Sequence, residues 1–203
     1  MDIEFIVTPR LKTEVEINKA TIETLNTLLA DSDLGCEYLQ KRGVRWEVAQ
    51  EFGLGYLPLP TELKLNILGE EFARTYKSLA GHLIIPIYDN YGVPIALAGR
   101  ALRGENPKYY NMSYPKKFFF WNFHRAKAHA KRLNYFLLTE GYFNVISLHS
   151  RGIQNAVAIQ GTNIQEEKIH LFARYTKNLV MIPDHDVPGE RAWVQLGKHI
   201  LST

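Results

Sequence analysis

The last third of the chain alternates short apolar runs with amphipathic stretches, and this pattern constrains the fold more than any other feature. Three runs predict strands that start about twenty residues apart: 135–139, 155–159 and 178–183. Helical patterns follow the first two, over 142–150 and from 162 to 175, and Pro188 suits the first residue of a last helix. Strands joined through helices form a parallel sheet covered on both faces. The pattern therefore predicts an α/β fold for residues 133–203.

Acidic side chains follow the first and the third of these strands. Glu140 comes directly after the first run, and Asp184 and Asp186 follow the third. Because the active site of an open α/β sheet lies beyond the carboxyl ends of its strands, we expect the three carboxylates at one edge. Crowded carboxylates repel one another unless a cation is present, and Mg²⁺ prefers oxygen ligands. The set indicates a metal site, although each residue taken singly also suits the start of a helix.

Basic side chains are concentrated in residues 100–132. This stretch has nine of them against one acidic residue, Glu105, so it carries +8 while the whole chain carries +3. Such polarity is typical of a surface that meets a polyanion, but lysines spread over all sides of a solvated face would give the same count. Aromatic residues interleave with these charges. We expect the run 118–121 to lie in the core rather than to stack on bases, because four consecutive bulky apolar residues seldom all face water.

The hydrophobic pattern up to residue 132 is different, and it predicts a separate subdomain with helices first and β-strands after them. Apolar residues recur at helical spacing between 18 and 53, and two apolar runs flank a hairpin turn at 89–92. Pro86 and Pro94 predict that the strands of this hairpin are edge strands or bulged. We therefore expect an α+β chain in two parts: 1–132, which is basic, and 133–203.

The cysteine content and the lengths of the apolar runs indicate where in the cell the protein is expected. Cys36 is the only cysteine, so an internal disulfide and a cysteine-rich zinc site are both excluded. No run of about 18 apolar residues occurs, and the first residues lack the charged-then-apolar pattern of a signal peptide. We expect a protein of the reducing cytoplasm with no membrane partner.

Several motifs occur in an order that resembles the catalytic core of DnaG-type DNA primases. Three of them resemble the Toprim domain, which these primases share with topoisomerases and some nucleases: 140–146, 161–162 and 184–189. The others resemble the N-terminal, basic part of the primase core: 38–44, 52–56, 85–89, 99–100 and 107–111. Each motif alone is modest, whereas the ordered set is specific.

This resemblance implies a polymerase that makes RNA primers on a single-stranded DNA template from nucleoside triphosphates. It also implies a replicative helicase as a partner and the cytoplasm of a bacterial or phage-infected cell as the location. Glu140, Asp184 and Asp186 are then expected to hold Mg²⁺ or Mn²⁺, without zinc, and to be catalytic together with Lys108. The resemblance places nucleotide or nucleic-acid contacts on six residues: Arg100, Lys108, Tyr109, Asn111, Lys116 and Lys117.

The sequence also departs from this family. Asn144 stands where an aspartate is common, no Cys/His zinc ribbon occurs, and only 17 residues follow Asp186, so a third acidic pair is missing. Two explanations stay open. The chain is a minimal or phage primase core truncated at its C-terminus, or it is a Toprim accessory protein that binds nucleic acid or a helicase without polymerising. The upstream motifs argue against a third class, the Toprim nucleases.

Overall fold

A computed structural model describes most of the chain. Its described residues are 17–60, 68–160 and 166–183, with Trp193, Val194, Gly197, Lys198 and Ile200. The predicted ligands Asp184 and Asp186 and the predicted helix start at Pro188 lie outside the described residues.

Three helices open the described chain: α1 (Lys19–Ala30), α2 (Asp33–Lys41) and α3 (Trp46–Phe52). Asn18 caps α1, because its side chain accepts a hydrogen bond from the Thr21 N–H at 2.9 Å. Ser32 caps α2 through the Gly35 N–H at 3.1 Å. Gly53 ends α3 with a φ of +66°, in the left-handed region that glycine tolerates. The helical pattern between residues 18 and 53 is thus confirmed.

An antiparallel sheet follows in the order β1-β2-β3-β4, with strands Gly55–Leu57, His82–Tyr88, Pro94–Arg100 and Tyr109–Asn111. Helix α4 (Glu70–Thr75) and a 3₁₀ turn (Lys77–Leu79) lie between β1 and β2. The hairpin predicted between β2 and β3 is confirmed. The Asp89 carboxylate closes its turn by accepting from the N–H groups of Tyr91 at 2.8 Å and Val93 at 2.9 Å.

The expectation of edge strands in this hairpin is wrong, whereas the expected bulge is present. Both β2 and β3 are interior strands, and the register shifts between Ile87 and Tyr88. Pro86 is tolerated in β2 because β1 pairs only with His82–Ile84, so the missing N–H lies beyond that pairing. Pro94 is the first residue of β3, a position where proline disturbs little.

A parallel sheet in the order β6-β5-β7 forms the second half, with strands Ala156–Ala158, Phe136–Thr139 and Leu179–Met181. Its helices are α5 (Phe123–Leu133), α6 (Tyr142–His149) and α7 (Glu166–Ala173). Val145 of α6 packs in one core cluster with Leu137 and Ala156, on one face of the sheet. Phe123 of α5 and Phe172 of α7 pack with the opposite face. The predicted doubly covered parallel sheet is confirmed.

Trp121 ties the two sheets into one structure. Its backbone N–H and C=O pair with those of Ala158 at 3.1 Å, and its indole Nε1 donates to the Pro86 carbonyl at 2.9 Å. Its ring lies 5.3 Å from that of Phe52 and 5.1 Å from that of Tyr142. Three residues of the aromatic run are buried, at 6%, 1% and 3% exposure, which confirms the expected core position: Phe119, Phe120 and Trp121.

The division at residue 132/133 stays a prediction. Helix α5 (Phe123–Leu133) crosses this boundary and packs on the parallel sheet, through Ala126 and Ala130 as well as Phe123. Among the described helices, none combines the length and apolar character needed to cross a membrane.

Candidate functional site

Glu140 stands at the carboxyl edge of the parallel sheet, directly after the central strand β5. On one side, the Gln160 N–H donates to the Glu140 carbonyl at 3.1 Å. On the other, the Ile182 N–H donates to the Leu138 carbonyl at 2.8 Å, so β7 ends beside the end of β5. The structure therefore places Glu140 next to the point where the third predicted strand ends. Asp184 and Asp186, the other predicted ligands, fall outside the described residues.

A buried tryptophan orients the Glu140 carboxylate. The Trp193 Nε1–H donates to Glu140 Oε1 at 2.5 Å, and Trp193 is 4% exposed. An indole N–H fixes the carboxylate without neutralising its charge, so the group keeps the hard anionic oxygen that Mg²⁺ or Mn²⁺ prefers. Within the part of the chain that the structure describes, no three metal-binding side chains cluster. The other two predicted metal ligands, Asp184 and Asp186, lie outside the described residues.

The basic strand region presents a guanidinium held between aromatic rings. Arg100 at the end of β3 pairs with Tyr109 of β4, and its Cζ lies 4.7 Å from the Tyr109 ring and 5.5 Å from that of Tyr38. Arg42 approaches the same Tyr38 ring, at 5.4 Å. Arg100 Nε is buried and has no hydrogen-bond partner among the described residues. A guanidinium group suits a phosphate, because its planar set of donors matches the phosphate oxygens.

One hydrogen bond joins this basic region to the carboxyl edge. The Tyr142 hydroxyl donates to Asn111 Oδ1 at 2.6 Å, and the rings of Tyr109 and Tyr142 lie 5.6 Å apart. Tyr142 is the first residue of α6, two positions after Glu140. Burial raises the pKa of Tyr142 well above its ordinary value, so the hydroxyl stays protonated and donates. Two of the predicted contact residues, Tyr109 and Asn111, are therefore tied to the edge that carries Glu140.

The predicted lysines lie on the surface around this region. Lys108 is exposed directly before β4, and Lys116 and Lys117 are exposed in a 3₁₀ turn (Lys116–Phe118). The Tyr114 hydroxyl, just before that turn, donates to Gln160 Oε1. Since Gln160 follows β6 and its N–H bonds to the Glu140 carbonyl, the turn is also fixed to the carboxyl edge. Burial raises the pKa of Tyr114, which keeps this donor protonated as well.

Sequence reasoning missed the residues that hold the site together. Tyr142 lies inside the motif 140–146, yet nothing in the sequence gives it a partner on β4. Tyr38 lies on α2, and Arg42, four residues later, is the C-cap of that helix. This spacing places both side chains on one helix face and could have signalled a joint role. Nothing in the sequence indicates that Trp193 contacts Glu140, because the two residues are 53 positions apart.

Comparison with known sequences finds a matching family model and several similar DNA primases. Residues 137–202 match a family model described as Toprim-like. The DNA primase of Thermotoga maritima is 34% identical over 176 residues, which cover 77% of this chain and 31% of that protein. A DNA primase of Staphylococcus aureus is 26% identical over 197 residues, which cover 86% of this chain and 33% of that protein. The chain spans about a third of the length of these relatives.

Solved structures share the fold. A DNA primase domain from Pseudomonas aeruginosa superimposes with a TM-score of 0.71 and 28% identity, over 87% of this chain and 63% of that one. The zinc-binding and RNA polymerase domains of the Aquifex aeolicus primase give a TM-score of 0.72 and 25% identity, over 88% of this chain and 52% of that one. Sequence relatives, family model and fold agree with the motifs, and the chain belongs to the DnaG-type primases, as part of a catalytic core with a Toprim-like second half.

Proposed function

We propose that this chain carries out template-directed synthesis of RNA primers on single-stranded DNA. The hydrogen bond between Tyr142 and Asn111 is the observation that carries the proposal, because it couples β4, the neighbour of Arg100 in the antiparallel sheet, to the edge that carries Glu140. Nucleotidyl transfer needs this coupling, since a nucleotide must be held in fixed geometry against the reacting centre. A replicative helicase partner and a cytoplasmic location belong to the same proposal, on the ground of membership in the primase family.

The residues divide the chemistry between them. Glu140, with Asp184 and Asp186, would hold Mg²⁺ or Mn²⁺, which would neutralise triphosphate charge and favour departure of pyrophosphate. No role in this scheme calls for zinc. Arg100 binds a phosphate through its planar fork, and the buried Nε without a described partner supports this assignment. The exposed Lys108 contacts nucleic-acid or nucleotide phosphate as a mobile point charge.

Lys108→Ala is expected to weaken binding of single-stranded DNA and to reduce the steepness of its salt dependence. Binding of the variant releases fewer counterions, because it makes one phosphate contact less. The magnitude of the slope of log K against log salt should therefore fall by about 0.7. Fluorescence anisotropy over a series of salt concentrations measures this. Lys41→Ala is the matched control, because Lys41 pairs with Glu37 on α2. Equal slopes for wild type and Lys108→Ala would refute the contact.

Primer synthesis tests the proposal directly. The chain is incubated with a single-stranded DNA template, ribonucleoside triphosphates, and Mg²⁺ or Mn²⁺, and labelled products are resolved by size. RNA oligomers support the proposal. Shortened DNA would indicate a Toprim nuclease, and binding without any product would indicate an accessory protein; either result overturns it.

A further inference from the structure

The amino edge of the parallel sheet, opposite the edge that carries Glu140, gathers exposed cations. Because β5, β6 and β7 run parallel, the turns that lead into them all lie at this edge. These turns follow α5, α6 and α7. Five exposed basic residues lie in the turns or in the last turn of α5: Lys131, Arg132, Arg151, Arg174 and Lys177. None of the five forms an ion pair with another described residue.

The segments that build this edge are poor in acidic residues. Between residues 106 and 183 the sequence has only three: Glu140, Glu166 and Glu167. Glu140 follows β5 and the other two begin α7, so all three belong to the carboxyl edge. From the first half of the chain, the Glu51 carboxylate reaches α6, where it lies 2.9 Å from His149 Nε2. The parallel sheet is therefore polarised, with acidic residues at one edge and basic residues at the other.

Three asparagines fix these turns against one another. The Asn134 carbonyl accepts from Thr176 Oγ1 and from Asn178 Nδ2, both at 2.9 Å, which ties the end of α5 to the turn before β7. Asn155 Nδ2 donates to the Tyr135 carbonyl at 2.9 Å, which ties the turn before β6 to the turn before β5. Asn155 is fully buried. The cations are therefore carried by a fixed backbone, so a ligand does not have to order the turns when it binds.

Helix ends explain part of this charge. Lys131 and Arg132 lie in the last turn of α5, and Arg174 directly follows α7, where the partial negative charge of a helix end stabilises a cation. Lys177 lies four residues beyond α7 and has no such reason to be basic. Like charges gathered on one surface repel one another, and an anionic partner relieves that repulsion.

The composition of this edge suits a phosphate backbone better than a protein. Protein interfaces centre on apolar and aromatic side chains and are depleted in charge there. In the described residues of these turns, the large apolar side chain with the greatest exposure is Leu133, at 47%. A nucleic-acid backbone, in contrast, is contacted by lysine and arginine without regard to base sequence.

We propose that the amino edge is a second binding surface for single-stranded DNA, which it contacts through the phosphates with its five cations. The inference rests on the proposed function and deepens it, because the same template strand would also meet the edge that carries Glu140. The four residues of β5 separate the two edges by about 13 Å. A stacked strand of about 20 nucleotides is about 70 Å long, so one template can reach both.

The double variant Lys131→Ala/Lys177→Ala tests this surface by binding alone. Fluorescence anisotropy is measured over a series of salt concentrations, without divalent metal or nucleotides, on a single-stranded oligonucleotide of about 20 nucleotides. Two lost phosphate contacts should reduce the magnitude of the slope of log K against log salt by about 1.4, and affinity at low salt at least about fivefold. Lys131→Arg/Lys177→Arg should keep the wild-type slope, since both charges remain.

The matched control is Lys19→Ala/Lys41→Ala, which removes the same net charge from exposed positions on α1 and α2 and should leave the slope unchanged. Adding Lys108→Ala to Lys131→Ala/Lys177→Ala should reduce the slope by about 2.1 in total, because contacts at separate places are additive. Thermal unfolding shows whether each variant is folded. A parallel titration with polyglutamate tests an acidic polypeptide as the ligand.

The outcomes separate this inference from the proposed function. A folded Lys131→Ala/Lys177→Ala protein with the wild-type slope overturns the surface, even if the chain makes primers. Equal losses in this variant and in the control would show an effect of net charge alone and would also overturn it. Loss of polyglutamate binding with DNA binding unchanged would assign the edge to an acidic protein instead. Weakened DNA binding in a chain that makes no primers supports the surface and leaves primer synthesis refuted by its own experiment.

Discussion

Glu140→Gln is expected to reduce metal-dependent primer synthesis at least about 100-fold while the protein stays folded. The charged oxygen of Glu140 is the described member of the predicted metal site, and removing one ligand charge costs several kcal/mol of transition-state stabilisation. The glutamine carbonyl still accepts the hydrogen bond that the Trp193 indole makes to Glu140 at 2.5 Å. The variant therefore tests the charge alone.

Three measurements make this result interpretable: primer yield, thermal unfolding and affinity for single-stranded DNA. Glu70→Gln, on the exposed start of α4, is the control and should behave as wild type. Affinity for DNA should persist in Glu140→Gln, because the phosphate contacts that we propose are those of Arg100 and Lys108 rather than of the carboxylate. More than half of wild-type activity in a folded Glu140→Gln protein would refute the catalytic assignment.

The layout of the second half follows from local pattern. Strands β5, β6 and β7 are short apolar runs between helical stretches, a pattern that is visible without long-range information. Every residue of β5 and β6 is buried, as expected for strands covered on both faces. The position of Glu140 is equally predictable, because chain order fixes which end of a parallel strand a residue follows. The hairpin at Asp89–Gly92 is predictable for the same reason, since its turn residues are neighbours in sequence.

The contacts that build the site depend on how distant elements dock, and local pattern does not contain them. The bond between Tyr142 and Asn111 spans 31 positions and requires β4 to lie against the start of α6. The interior position of β2, despite Pro86, is not predictable from β2 itself, because it depends on where the pairing with β1 ends.

Trp121→Ala is expected to lower the free energy of unfolding by about 3–5 kcal/mol, the largest stability effect that we expect from one substitution here. The side chain is 3% exposed and packs between Phe52 and Tyr142. Its loss leaves a cavity where α3, the antiparallel sheet and α6 meet, and it also leaves the Pro86 carbonyl without the indole donor. Urea unfolding followed by circular dichroism measures the change.

Trp121→Phe separates packing from hydrogen bonding. Phenylalanine keeps most of the ring but cannot donate to the Pro86 carbonyl, so the expected loss is about 1–3 kcal/mol. Tyr91→Ala is the surface control, since Tyr91 is 74% exposed and should change stability by less than about 0.5 kcal/mol. Because Trp121 joins the antiparallel sheet, which carries Arg100, to the parallel sheet, which carries Glu140, a destabilised but folded variant should also lose primer synthesis. A Trp121→Ala protein as stable as Tyr91→Ala would show that the two sheets are held together elsewhere.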